Sequence, residues 1–174
     1  MSQTVPDPTV QRSRPIPLNK RGLGRQFAAL PVRIHKGRLE VMLVTSRDTG
    51  RWVLPKGWAE KRLSGRALAG KEAFEEAGIL GEVSTYPVGT YRYGKRLPLS
   101  QILDCRVKVY RLEVNRVLED WPERAQRQRQ WFTLSEAMGL VDEAELAALL
   151  RSIPRRVPRS RRGQPVKHQP VKQR

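Results

Sequence analysis

Apolar residues fall in short blocks along the middle of the chain and thin out toward both ends. Residues 26–35 (QFAALPVRIH) and 38–45 (RLEVMLVT) read as two strands joined through Lys36 and Gly37, where a tight hairpin requires positive φ. Pro31 has no N–H to give to a ladder, which places the first strand near an edge or a bulge. In the second strand Val41, Met42, Leu43 and Val44 are apolar without alternation, so it is expected to be covered on both faces. A turn-prone RDTG follows at 47–50, and then, in RWVLPKGW, a short strand that runs into Pro55 and Gly57. The spacing predicts a helix over 64–77, with Ser64 as N-cap and Gly78 as a left-handed stop. Gly65 and Gly70 each weaken that helix by about 1 kcal/mol relative to Ala, so packing has to hold it. Further strands are predicted at 86–93, 101–115 and 129–134, and a last amphipathic helix, DEAELAALLRSI, at 142–153. In the 101–115 strand Leu103, Cys105, Val107 and Val109 share one side, with Asp104, Arg106 and Lys108 on the other. Strands outnumber helices and the helices are far apart in sequence, which indicates an α+β class: a mixed sheet flanked by helices.

Charge changes this picture at the ends. The 174 residues carry a formal charge of +17, and residues 151–174 alone hold nine Lys or Arg and no acid. The stretch 26–150 is left with only +4. A domain over 23–153 is therefore expected between a basic, proline-interrupted arm at 1–22 and a basic tail at 154–174, both too poor in apolar residues to offset the entropy of ordering. Such a tail could attract RNA or an anionic surface, with affinity falling as salt rises, but it lacks the aromatic residues of a dedicated single-strand binder. No run of 18 apolar residues is present, so no transmembrane segment is expected. The single cysteine, Cys105, cannot form an internal disulfide and reads as a buried structural thiol, which points to a reducing, cytoplasmic setting. The two histidines, His35 and His168, lie beside a turn and in the tail, so nucleophilic catalysis by a Ser/His/Asp triad has little support in the domain.

One segment runs against the charge of the chain. KEAFEEAG, 71–78, packs Glu72, Glu75 and Glu76 into two helical turns. At about 100° per residue the three share roughly 100° of arc, opposite Ala67, Gly70, Ala73, Phe74 and Ala77, which are expected to form the buried face. Like charges at these spacings repel by a few tenths of a kcal/mol. Lys71 offsets part of this, and a divalent cation would offset more; with only oxygen ligands nearby, Mg²⁺ or Mn²⁺ suits the site better than zinc. A solvated acidic helix face is the alternative reading of the same residues.

The longer stretch 57–79, GWAEKRLSGRALAGKEAFEEAGI, resembles the Nudix box, the loop-helix-loop metal site of the Nudix hydrolases. Gly57, Glu72, Glu75, Glu76, Gly78 and Ile79 occupy their places in that frame; Leu63 stands where an early Glu belongs and Lys71 replaces an Arg. The flanks VTSRDTGRWVLPKGW, YRYGK and WPE are similar to the diphosphoinositol polyphosphate phosphohydrolase-type branch and its bacterial relatives. The resemblance implies a Nudix fold, with a mixed β-sheet sandwiched between α-helices, and Mg²⁺- or Mn²⁺-dependent hydrolysis of a diphosphate linkage in a polyphosphorylated small molecule, a dinucleoside polyphosphate or an inositol pyrophosphate. It implies metal ligation by Gly57, Glu72, Glu75 and Glu76, with Lys71 orienting a glutamate. Substrate phosphates need cations outside the metal site, and Arg47, Arg51, Lys56 and Lys95 are the candidates, with Tyr93 available for stacking. Two alternatives follow from the departures and from the tail: a catalytically weak Nudix-fold binding or regulatory module, motivated by Leu63, and an RNA 5′-end pyrophosphohydrolase assisted by the basic tail. The oligomeric state is left open.

Overall fold

The computed structural model describes residues 15–154. Residues 1–14 and 155–174, and with them the expectations for the basic tail and His168, lie outside the described residues. Of the proline-containing arm, Pro15, Ile16 and Pro17 reach the wall of the central cavity, and the Asn19 side chain accepts from the N–H groups of Arg21 and Leu23 to make a turn.

Eight strands and three helices follow in the order β1 (Gly24–His35), β2 (Arg38–Thr45), β3 (Trp52–Val53), β4 (Lys56–Trp58), α1 (Gly65–Ala77), β5 (Ile79–Val83), β6 (Gly89–Arg96), β7 (Ile102–Val117), β8 (Arg129–Thr133), α2 (Leu134–Leu140) and α3 (Ala144–Ser152). The sheet order is β3-β2-β1-β7-β5, with β4 on β1, β6 on β7 and β8 on β2. It is mixed because β1 and β7 run parallel, Gly24 opposite Cys105 through Val32 opposite Glu113, while the remaining pairs are antiparallel. Lys36 and Gly37 both take positive φ, 49° and 76°, in the β1–β2 turn, matching the twist a two-residue hairpin needs.

The alternation of β2 shows how one sheet serves two cores. Val41 and Leu43 face one side with Leu30, Val107, Val109 and residues of α2 and α3; Met42 and Val44 face the other with Leu68, Ala69 and Ala73 of α1. The uninterrupted apolar run of β2 is therefore buried on both faces, as its pattern predicts. Cys105, Val107 and Val109 are fully buried, Leu103 on the same side is half-buried, and Asp104, Arg106 and Lys108 on the other side are exposed, as the alternation predicts.

Three expectations are corrected. β1 is an interior strand, not an edge; Pro31 sits where β1 leaves β4 (Gln26 to Ala28) and has not yet joined β2 (Val32 onward), so its missing N–H costs no ladder bond on that side. The short strand that runs into Pro55 is β3, ended before Leu54, but pairing resumes beyond the proline as a second short strand, β4, bonded to a different neighbour. β5 and α2 were not anticipated at all.

Candidate functional site

Helix α1 brings in the carboxylates. Its start is fixed by Ser64, whose hydroxyl accepts from Ala67 N–H at 3.2 Å, and its end by Gly78 at φ 60°, whose N–H returns to Phe74 O. The helix packs on the sheet through Leu68, Ala69, Ala73 and Ala77, small residues that let it lie close. This rotates the buried face from the expected one: Phe74 and Ala67 are exposed, whereas Glu72 and Glu76 are buried with the apolar residues. Only Glu75 stays at the rim. The three carboxylates thus divide, two inward and one outward.

Opposite α1 lies β4. Gly57 packs so tightly on Glu72 that a β-carbon there would collide with the carboxylate. The backbone N–H of Lys56 donates to Glu76 Oε2 at 3.1 Å. The loop between β7 and β8 closes a third side: Arg127 Nη2 donates to Glu76 Oε1, its Nε to Glu123 Oε2 at 2.5 Å and its Nη1 to Thr45 O at 2.9 Å. Glu123 N–H donates in turn to Glu75 O at 3.1 Å, tying this loop to the helix. Arg129 covers the C-terminal end of α1, donating to Ala77 O at 2.5 Å and stacking on Trp121 at 3.8 Å.

Burial raises the Glu72 pKa to about 7, with Glu76 as the next cause and Lys71 opposing. Burial also pushes Glu76 up, against the pull of Arg127 and Lys56. The Lys71 ammonium is shifted upward by its hydrogen bonds to Glu75 at 2.9 Å and to Glu60, whose Oε1 lies at 3.2 Å. Desolvation pushes Lys56 down. Its ammonium lies 5.4 Å from the centre of the Tyr93 ring.

These elements enclose a cavity of about 860 Å³. Of the residues anticipated from sequence, Gly57, Glu72, Glu76, Lys56, Arg47 and Lys95 line it. Glu75 does not; it faces Lys71 instead. Arg51 is turned away to Asp142 at 3.1 Å and Glu143 at 3.5 Å. Tyr93 is also outside the lining, with its hydroxyl held by Gln26, a lining residue, at 2.7 Å. Arg47 reaches Glu123 at 3.4 Å and Gln126 at 3.2 Å. Among the described residues no three carboxylate, His or Cys side chains are gathered as they would be around a single ion; Lys71 and Arg127 are instead the cations paired with Glu75 and Glu76. Sequence reasoning missed Arg127, Glu123, Glu60 and Gln26; the WPE tripeptide that contains Glu123 was the available signal.

No family model matches the chain. The chain is 32% identical over 138 residues to Nudix hydrolase 21, chloroplastic, of Arabidopsis thaliana, covering 77% of this chain and 68% of that protein. It is 37% identical over 108 residues to Nudix hydrolase 12, mitochondrial, of the same plant, covering 59% and 52%. It is 34% identical over 102 residues to diphosphoinositol polyphosphate phosphohydrolase 3-beta of Bos taurus, covering 57% and 58%. The chain spans little more than half the length of the latter two. In three dimensions it resembles a Caenorhabditis elegans Ap4A hydrolase binary complex, with a TM-score of 0.57 and 20% identity over 73% of this chain and 92% of that one.

Proposed function

Because the chain belongs to the Nudix hydrolases, we propose that it hydrolyses a phosphoanhydride bond in a polyphosphorylated small molecule with the help of Mg²⁺ or Mn²⁺. The observation that carries this reading is the buried pair Glu72 and Glu76, with Glu72 packed against Gly57, in the wall of a cavity that Lys56, Arg47 and Lys95 also line. The donor set fits a hard divalent cation: every side-chain ligand offered is oxygen, and Gly57 leaves the Glu72 carboxylate the room a side chain would fill. Gly57, through its carbonyl, with Glu72 and Glu76 in the cavity wall and Glu75 turned in from its rim position against Lys71, would hold the ion. When bound, the ion neutralises the diphosphate and acidifies the attacking water.

The chain's own residues do the rest. Arg127 and the Lys56 N–H fix Glu76 in place, so its carboxylate is aimed before substrate arrives. Lys71 orients Glu75. A carboxylate of the Glu72–Glu76 pair takes the proton of the water. Arg47, Lys56 and Lys95 face the phosphates not being cleaved. The number of cations suits a substrate with several phosphates, a dinucleoside polyphosphate or an inositol pyrophosphate. The C. elegans neighbour is named as an Ap4A hydrolase and the Bos taurus relative as a diphosphoinositol polyphosphate phosphohydrolase, which supports both classes. Arg51, bonded to Asp142 and Glu143, has no part in this reading. The lone buried thiol of Cys105 supports a reducing compartment such as the cytosol.

The test is phosphate or nucleotide release by the full chain with Mn²⁺ or Mg²⁺, across dinucleoside polyphosphates, inositol pyrophosphates, nucleoside triphosphates and 5′-triphosphorylated RNA. Turnover of one of the first two classes, abolished by chelation and by Glu76→Gln, is the expected result. Inactivity across the panel together with tight binding of one member would assign a ligand-holding module instead. Leu63, in the place of a carboxylate, favours that second reading.

A further inference from the structure

The 57–79 frame has two departures, Leu63 for Glu and Lys71 for Arg, and the fold connects them. Leu63 is 38% exposed and is not part of the cavity wall. Three residues earlier in the same loop, Glu60 does line the cavity, and its Oε1 is 3.2 Å from Lys71 Nζ. The same ammonium is 2.9 Å from Glu75 Oε2 and 3.8 Å from Glu72 Oε1. One cation therefore touches three carboxylates, and the only contributor from outside α1 is Glu60.

Charge balance separates this group from its neighbour. Around Glu76, the carboxylates of Glu76 and Glu123 meet the guanidinium groups of Arg127 and Arg47, with the Lys56 ammonium adding to the positive side. Around Lys71, three carboxylates meet one ammonium, so acidic groups outnumber cations. A divalent ion is the kind of group that would offset such a surplus. The position of Lys71 then matters for whether Glu72 and Glu75 can serve such an ion. An arginine presents a rigid planar fork that fixes its own partners, whereas a lysine is a point charge on a flexible stem and goes where its carboxylates hold it. Without an anchor on the loop side, Lys71 would lie wholly on Glu72 and Glu75 and neutralise the ligands it should only orient.

We propose that Glu60 makes up for the carboxylate missing at Leu63: it is a positioning residue that draws Lys71 toward the loop and so keeps Glu72 and Glu75 oriented and available to the divalent ion. This rests on reading the cavity as a metal-dependent hydrolase site. Partners one layer behind metal ligands typically change metal affinity by about 10- to 100-fold when removed, and Glu60 belongs at that level.

The experiment measures Mn²⁺ affinity of the full chain directly, by electron paramagnetic resonance of the free ion, for wild type, Glu60→Gln, Glu60→Asp, Glu72→Gln and the double variant Glu60→Gln/Leu63→Glu, with melting temperature in chelator as a control. Glu60→Gln is expected to weaken Mn²⁺ binding by about 10-fold or more, Glu60→Asp by less, and the added Glu at 63 to recover part of the loss. A merely structural glutamate would lower the melting temperature in chelator and leave Mn²⁺ affinity unmoved, and that result overturns the proposal. If Glu72→Gln loses Mn²⁺ while Glu60→Gln binds as wild type, the proposal fails and the hydrolase reading stands. If wild type takes up no Mn²⁺ with or without a dinucleoside polyphosphate, both fail together.

Discussion

At the scale of single residues, the site depends on close approach and on charge pairing under cover. Gly57 lies against Glu72 with no space for a methyl group, so Gly57→Ala must displace the carboxylate. Misplacement by about 1 Å at a reacting centre costs on the order of 100-fold in rate, and we expect kcat/KM of Gly57→Ala to fall by about that much with an unchanged circular dichroism spectrum. Arg127 and Glu76 are 6% and 8% exposed and form an ion pair. Removing one partner of such a pair leaves a buried charge, typically costing about 3–5 kcal/mol; Arg127→Met should lose stability of that order in urea titration, and Arg127→Met/Glu76→Met should recover much of it. The glutamates and Gly57 were legible because their spacing is local, fixed by one helix and the loop before it. Arg127 was not, because it lies in RAQRQRQ, a polar stretch with no periodicity, and meets Glu76 only across 51 positions of chain.

At the scale of elements, the position of α1 was legible and its rotation was not. Ser64 and Gly78 mark its ends by chemistry that a sequence displays, and Ser64→Ala should cost about 1 kcal/mol by thermal or chemical denaturation. Its face, however, is chosen by small residues, Ala69, Ala73 and Ala77, which have no strong apolar signature, so the hydrophobic pattern put Phe74 inside when it is exposed. α2 escaped notice through its length of seven residues, although its capping box, Thr133 with Glu136, is visible in TLSE. β5 escaped because only Ile79 of ILGEV is buried. α3 is tied to β6 by Arg92 and Glu145, and the hydrogen bonds from Arg92 hold Glu145 below the usual carboxylate range. A depressed carboxylate contributes stability that is present above its unfolded pKa and lost as pH falls through the folded one. The melting temperature of wild type should therefore drop more steeply than that of Glu145→Gln as pH is lowered from about 5 to about 3.

At the scale of the whole molecule, the basic charge of the chain would favour the anionic substrate proposed above. The charge of +17 predicts association rates that fall with ionic strength. We expect kcat/KM on a dinucleoside polyphosphate to decline as salt rises, and deletion of 159–174 to flatten that decline while converging on the wild-type value at high salt. The sandwich architecture was legible from the count and order of elements, while the parallel partnership of β1 and β7 was not, since the two segments are separated by most of the domain. That partnership governs when the cavity can exist during synthesis. One wall, β4 and α1, is made early, but the loop bearing Glu123 and Arg127 follows β7. The acidic pair on α1 must therefore leave the ribosome without its guanidinium partner, and the nascent chain remains unable to close the pocket until some fifty further residues have been translated.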